Sequence, residues 1–147
     1  MHAISRLVAA EAAAGRLAFY LDLHAHANKR GVFAYGNALE GAAHVDALLF
    51  CKLAALNSAS FDFGACNLTE RNMCARDRDG TTKGGTGRVA VFHQTALPHL
   101  YTIEANYHGA SPTAGHGAPG GTAFDVPAFH EVRQRGPMLY LFAQFES

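Results

Sequence analysis

Two histidines, one glutamate and one arginine are the residues whose types and surroundings could do chemistry. His24 and His26 lie in Tyr20-Leu21-Asp22-Leu23-His24-Ala25-His26-Ala27-Asn28-Lys29-Arg30-Gly31, where an apolar run delivers both imidazoles into a polar turn closed by glycine. A strand alternates its side chains, so Asp22, His24 and His26 share one face and Leu21, Leu23 and Ala25 the other. Open α/β sheets place their ligands beyond the carboxyl ends of buried strands, and metal ligation is the chemistry an imidazole there would do. His-x-His by itself fits two polar residues capping a strand equally well.

Glu104 stands in the aromatic and β-branched run Tyr101-Thr102-Ile103-Glu104. A buried, unpaired carboxylate is costly, so it must face a solvated groove or a partner cation; a structural ion pair with an arginine would satisfy it. Arg88 follows Gly85-Thr86-Gly87, but no Walker spacing exists and Lys83 precedes these glycines, which argues against a phosphate-cradling loop. Lys29 and Arg30 form a basic turn, read most simply as solvated.

Several elements must position these residues. Ile4, Leu7 and Val8 recur at helical spacing within an alanine-rich run, which predicts a helix over Ile4–Ala14 stopped by Gly15. The continuous apolar run Leu17–Leu23 predicts a buried strand, and helix, tight turn and buried strand together indicate an α/β domain. Val45, Leu48, Leu49, Leu53 and Leu56 recur at three and four, marking a helix over Ala42–Leu56. Further on, Phe61–Phe63 is expected as a short strand, Gly64–Arg78 as irregular chain, Val89–His93 as an amphipathic turn or strand, and Leu100–Ala105 as a strand. Gly109–Gly121 reads as a long glycine-rich loop, and Asp125 with Pro127 as the start of a helix from Ala128 towards Phe145, kinked at Gly136-Pro137.

Composition narrows the function classes. The 147 residues fit one domain, and 49% hydrophobic residues supply a core. Twelve basic residues balance twelve acidic ones, so no overall positive field draws nucleic acid or an anionic membrane. Cys51, Cys66 and Cys74 lack Cys-x-x-Cys spacing, which supports neither a disulfide framework nor a thiolate zinc site. No signal-peptide pattern or stretch of roughly 20 apolar residues is evident, so a cytoplasmic location is expected.

The motifs carry a resemblance. Asp22-Leu23-His24-Ala25-His26, the basic pair Lys29-Arg30 and Val32-Phe33-Ala34-Tyr35-Gly36 resemble the third zinc-ligand segment of zinc metallocarboxypeptidases, in the form found in the cytosolic carboxypeptidases, with Ala27 where that family has serine. Gly85-Thr86-Gly87-Arg88-Val89 and Tyr101-Thr102-Ile103-Glu104-Ala105 are similar to a second pattern of that subfamily, with Glu104 lying 80 residues after His24. The resemblance implies zinc as cofactor, His24 as a zinc ligand and Glu104 as the general base that takes a proton from the attacking water and passes it to the leaving amine. It places Arg88 in the pocket for the departing residue's side chain, where a guanidinium would pair with a carboxylate. His26 would line the substrate groove. The implied substrates are acidic protein C-terminal tails or polyglutamate chains, such as those on tubulin.

A catalytic zinc generally needs three protein ligands. The family takes two from His-x-x-Glu, and none of the nine histidines here has glutamate three residues later. Residues 1–147 therefore resemble the C-terminal portion of a partial mixed-sheet α/β/α zinc-carboxypeptidase-like domain. Such a portion is expected to leave an unpaired sheet edge, to associate with itself and to bind zinc weakly through His24. Two alternatives stand beside the peptidase: a catalytically silent module that binds acidic tails around Arg88, and an unrelated α/β domain in which His24 and Glu104 are structural.

Overall fold

In a computed structural model of the protein, residues 2–75, 87–107 and 109 are described. The elements run α1 (His2–Ala13), β1 (Tyr20–His26), β2 (Val32–Tyr35), α2 (Gly41–Asn57), a 3-10 turn (Phe63–Ala65), α3 (Glu70–Met73), α4 (Gly87–Thr95) and β3 (Leu100–Asn106). The strands form one mixed sheet in the order β1-β3-β2, with β1 parallel and β2 antiparallel to the central β3. The architecture is α/β, and the sheet has a cluster of apolar side chains on each face.

Alternation along β3 sends Tyr101 to one face and Leu100 to the other. Tyr101 joins Leu21, Val32, Ala34, Phe61 and Leu68 against Ala47 and Cys51 of α2. Its ring stacks on Phe50 at 4.5 Å, and its hydroxyl donates to the Ala47 carbonyl at 3.1 Å. Leu100 meets Tyr20, Val8 of α1 and Val91 of α4 on the opposite face. Leu100 is wholly buried, so truncation to alanine there removes about 2–5 kcal/mol of stability.

The first helix ends as expected: Gly15 has φ 67°, the left-handed conformation that glycine adopts without a Cβ penalty. The strand expected at Leu17–Leu23 instead occupies Tyr20–His26. A strand exists only where it has a partner, and β3 begins after Pro98, which has no N–H to give; the first bond of this ladder end runs from Tyr20 N to His99 O at 3.0 Å. The continuous apolar run marked hydrophobicity, not pairing.

Other expectations shift as well. Val89–His93 belongs to helix α4, because Arg88, Val91 or Phe92, and Thr95 fall at three- and four-residue spacing and the helix packs towards α1 and β3. Phe61 makes only an isolated bridge to Val32 before the chain tightens into the 3-10 turn, where Asp62 accepts from Ala65 N at 3.2 Å. Within the irregular Gly64–Arg78 stretch, Thr69 caps the short α3 by accepting from Asn72 N at 3.3 Å. The Gly109–Gly121 loop beyond its first residue, the Ala128–Phe145 helix and the Gly85-Thr86 approach to Arg88 lie outside the described residues.

Helix α2 extends over the expected range, but of its expected apolar face only Leu48 packs against the buried cluster. Ala47 and Cys51 meet the sheet, whereas Val45, Leu49, Leu53 and Leu56 are 47–64% exposed. The helix is apolar nearly all round, so periodicity alone could not choose its inner face. Small residues at 47 and 51 permit the close approach on which the Phe50–Tyr101 stack depends.

Candidate functional site

The parallel register of β1 and β3 sets His24 opposite Glu104. On its other side Glu104 faces Phe33 of β2. Paired residues project to the same face, so the imidazole, the carboxylate and a fully buried aromatic ring form one row across the sheet. Glu104 is 9% exposed. Its charge contributes to holding the Tyr35 hydroxyl protonated, after the larger effect of burial on that phenol. Lys29 Nζ lies 5.0 Å from the centroid of Phe33 and 5.9 Å from that of Tyr35, so its ammonium stands over these rings while Lys29 and Arg30 stay exposed, as expected of a solvated basic turn.

His24 is joined to Asp22, two residues earlier on the same strand face: Nε2 lies 3.0 Å from Oδ1. Asp22 is buried while His24 is 41% exposed, so a sealed carboxylate fixes a ring whose remainder reaches the surface. Asp22 also abuts the beginning of α4. A Cβ placed on Gly87 would come within 3.1 Å of Asp22 Oδ2 and 2.8 Å of the Tyr20 hydroxyl. Only glycine admits this approach, and a carboxylate at a helix N-terminus is electrostatically favourable. Burial and the field of Asp22 push the Tyr20 phenol up to about 12.

Arg88, the second residue of α4, points inward and is 2% exposed. Its Nη1 donates to the Gly36 carbonyl at 2.6 Å and to Asn37 Oδ1, just past the end of β2. Desolvation lowers its pKa to about 10, with Asp22 opposing the shift, so the guanidinium remains charged at neutral pH. Asp22 thus acts on both His24 and Arg88 and links the imidazole to the cation.

His26 sits differently. Its ring packs edge-on against Phe33, with centroids 5.5 Å apart, at the end of β1. Asn106 holds this strand end: Nδ2 donates to the carbonyls of His26 at 3.0 Å and Ala27 at 3.4 Å, while Oδ1 accepts from Gly109 N at 3.2 Å. The Gly109 carbonyl accepts in turn from Gly31 N at 2.8 Å. The turn between β1 and β2 is therefore clasped by a buried carboxamide from β3.

The sequence reading passed over Asp22, Asn37 and Asn106 as participants. The period-two spacing of Asp22 and His24 was a usable signal for the first; nothing local marks the other two, whose partners lie 51 and 80 residues away. His24, with its second nitrogen bonded to a buried carboxylate, fits the pattern of an oriented metal ligand. Among the described residues no three His, Cys, Asp or Glu side chains come together to hold a metal, so the fit is to one ligand and not to a closed centre.

No protein-family model matches the chain. It is similar to the proteins named cytosolic carboxypeptidase-like protein 5 of Rattus norvegicus and Homo sapiens, at 51% identity over 94 residues, and to that of Danio rerio at 53%. Each match covers 63% of this chain and 11% of the relative, so the chain spans about a ninth of the length of these proteins. Among the described residues no helix is long and apolar enough to cross a membrane. Identity at this level over 94 residues supports a relationship between this chain and the carboxypeptidase family.

Proposed function

We propose that the chain carries part of a zinc metallocarboxypeptidase-like catalytic domain that removes acidic residues from protein C-terminal tails or polyglutamate chains, tubulin tails among them, in the cytoplasm. The observation that carries this reading is the row in which His24 stands opposite Glu104, on the sheet face that Arg88 approaches from α4. In this reading His24 is one zinc ligand, oriented by Asp22. Zinc, when bound, supplies Lewis-acid polarisation. Glu104 accepts a proton from the attacking water and delivers it to the leaving amine, a task suited to a carboxylate set in a mostly dry row. Arg88 receives the carboxylate of the departing side chain, and His26 borders the groove.

The test uses the protein isolated at its natural length, assayed by mass spectrometry on peptides ending in glutamate. Glu104→Gln should lower kcat by roughly a hundredfold or more with zinc content retained, and His24→Ala should lower zinc content. Full activity in Glu104→Gln would overturn the assignment of the base. A second reading, a module that binds acidic tails without cleaving them, draws on the fact that Arg88 is fixed by Gly36 and Asn37 independently of His24. It predicts glutamate-peptide binding with no shortened product.

A further inference from the structure

Two buried donors near the end of β2 have no acceptor among the described residues: Arg88 Nε–H and the Asn37 Nδ2 amide. Both side chains are almost sealed from solvent, at 2% and 1% exposure. They are neighbours, because Arg88 Nη1 donates to Asn37 Oδ1 and to the Gly36 carbonyl. Buried polar groups are nearly always satisfied, so unpaired donors on two side chains bonded to each other mark a place for an acceptor.

The remaining donors indicate which acceptor fits. Nη1 is committed, and this fixes the plane of the guanidinium. Its Nε–Nη2 edge is the one that meets a carboxylate side-on through two parallel N–H···O bonds. The Asn37 amide adds a neutral donor beside it. A positive charge with surplus donors and a bidentate edge suits a planar oxyanion better than a neutral amide, which would bring donors of its own.

We propose that Asn37 is a specificity-determining residue that works with Arg88 to bind one carboxylate: Oδ1 anchors the guanidinium and Nδ2 donates to the bound oxyanion. The proposal rests on the acidic-substrate reading above and adds a second residue to it. Asn37 is placed to discriminate because its two ends do different work. Replacement by aspartate keeps the anchor but puts an internal anion where the ligand's would go. Replacement by alanine removes both anchor and donor.

The experiment is nuclear magnetic resonance on the 15N-labelled full chain, following the arginine Nε–H signals, with that of Arg88 assigned by its loss in Arg88→Lys. The probes are acetylated tri-glutamate and tri-glutamine peptides. Wild-type chain should bind the glutamate peptide in preference to the glutamine one, with the Arg88 Nε–H signal moving downfield as an acceptor arrives. Asn37→Ala should weaken glutamate binding roughly tenfold or more, and Asn37→Asp should abolish the preference. Absence of any glutamate preference in the wild type would overturn the acidic-substrate reading and the site with it. A preference that survives unchanged in Asn37→Ala would overturn the role of Asn37 alone. Should that variant not fold, the wild-type signal still decides: glutamate binding that leaves the Arg88 Nε–H signal unmoved would also overturn the site.

Discussion

Asp22 connects more of the site than any other single residue. It fixes His24 through a 3.0 Å contact, acts on Arg88 and Tyr20 through its charge, and sits where only glycine at 87 leaves room. A carboxylate behind a ligating imidazole sets the ring's tautomer and orientation and raises its basicity. We therefore expect Asp22→Asn to weaken zinc binding by about 10–100-fold, the range typical of such outer partners. Competition against a chromophoric chelator measures it, and unchanged zinc affinity would exclude an orienting role. The same substitution removes the charge that offsets buried Arg88, so a loss of thermal stability should accompany it. At this scale the sequence was legible where period two governed: the shared face of Asp22 and His24 follows from strand alternation and reappears as a direct contact. Arg88 was marked by its glycine-rich approach, but its burial and its tie to Asn37 were not visible, because burial depends on which segment packs over it.

Among the elements, β3 organises the fold. It is the central strand, parallel to β1 along its whole length and antiparallel to β2 over Thr102 to Ala105, so Glu104 is flanked from both sides. Its aromatic and β-branched composition made it readable, whereas β2 was not recognised as a strand: four residues after a turn carry too little periodicity. The close approach beyond β2 has a testable consequence. A Cβ on Gly36 would lie 2.5 Å from Leu68 Cγ, inside the apolar cluster under α2. Gly36→Ala should destabilise the chain by about 1–3 kcal/mol, the usual cost of overpacking. Leu68→Ala should also destabilise it, by opening a cavity. In the double variant the new methyl occupies space that Leu68 vacates, so the two losses should fall short of adding. Denaturant unfolding of the four proteins gives the cycle, and strict additivity would show that the backbone at Gly36 moves instead. Such a movement would carry the Gly36 carbonyl away from Arg88, which ties this packing contact to the site.

Across the whole molecule, apolar surface is distributed unevenly. Val45, Leu49, Leu53 and Leu56 project from one side of α2, with Leu7, Phe19 and Tyr107 exposed elsewhere. Among the described residues β1 pairs only with β3, so its outer backbone edge is unmatched there. Isolated apolar side chains on a surface are ordinary, but a stripe of four on successive turns beside a sheet with an open edge favours association. Self-association through these surfaces is therefore expected to draw first on the α2 stripe and second on the β1 edge. Sedimentation velocity of the 147-residue chain should show species larger than a monomer, increasing with concentration over the micromolar range. Leu49→Glu with Leu53→Lys should suppress them, since both side chains are about half exposed and neither belongs to the buried clusters. If this double variant associates as strongly as the wild type, the β1 edge is the contact, and a lysine in place of exposed Ala25 on that strand should then be the change that disperses it. A wild-type chain that stays monomeric throughout would mean that this stripe does not drive contacts between copies.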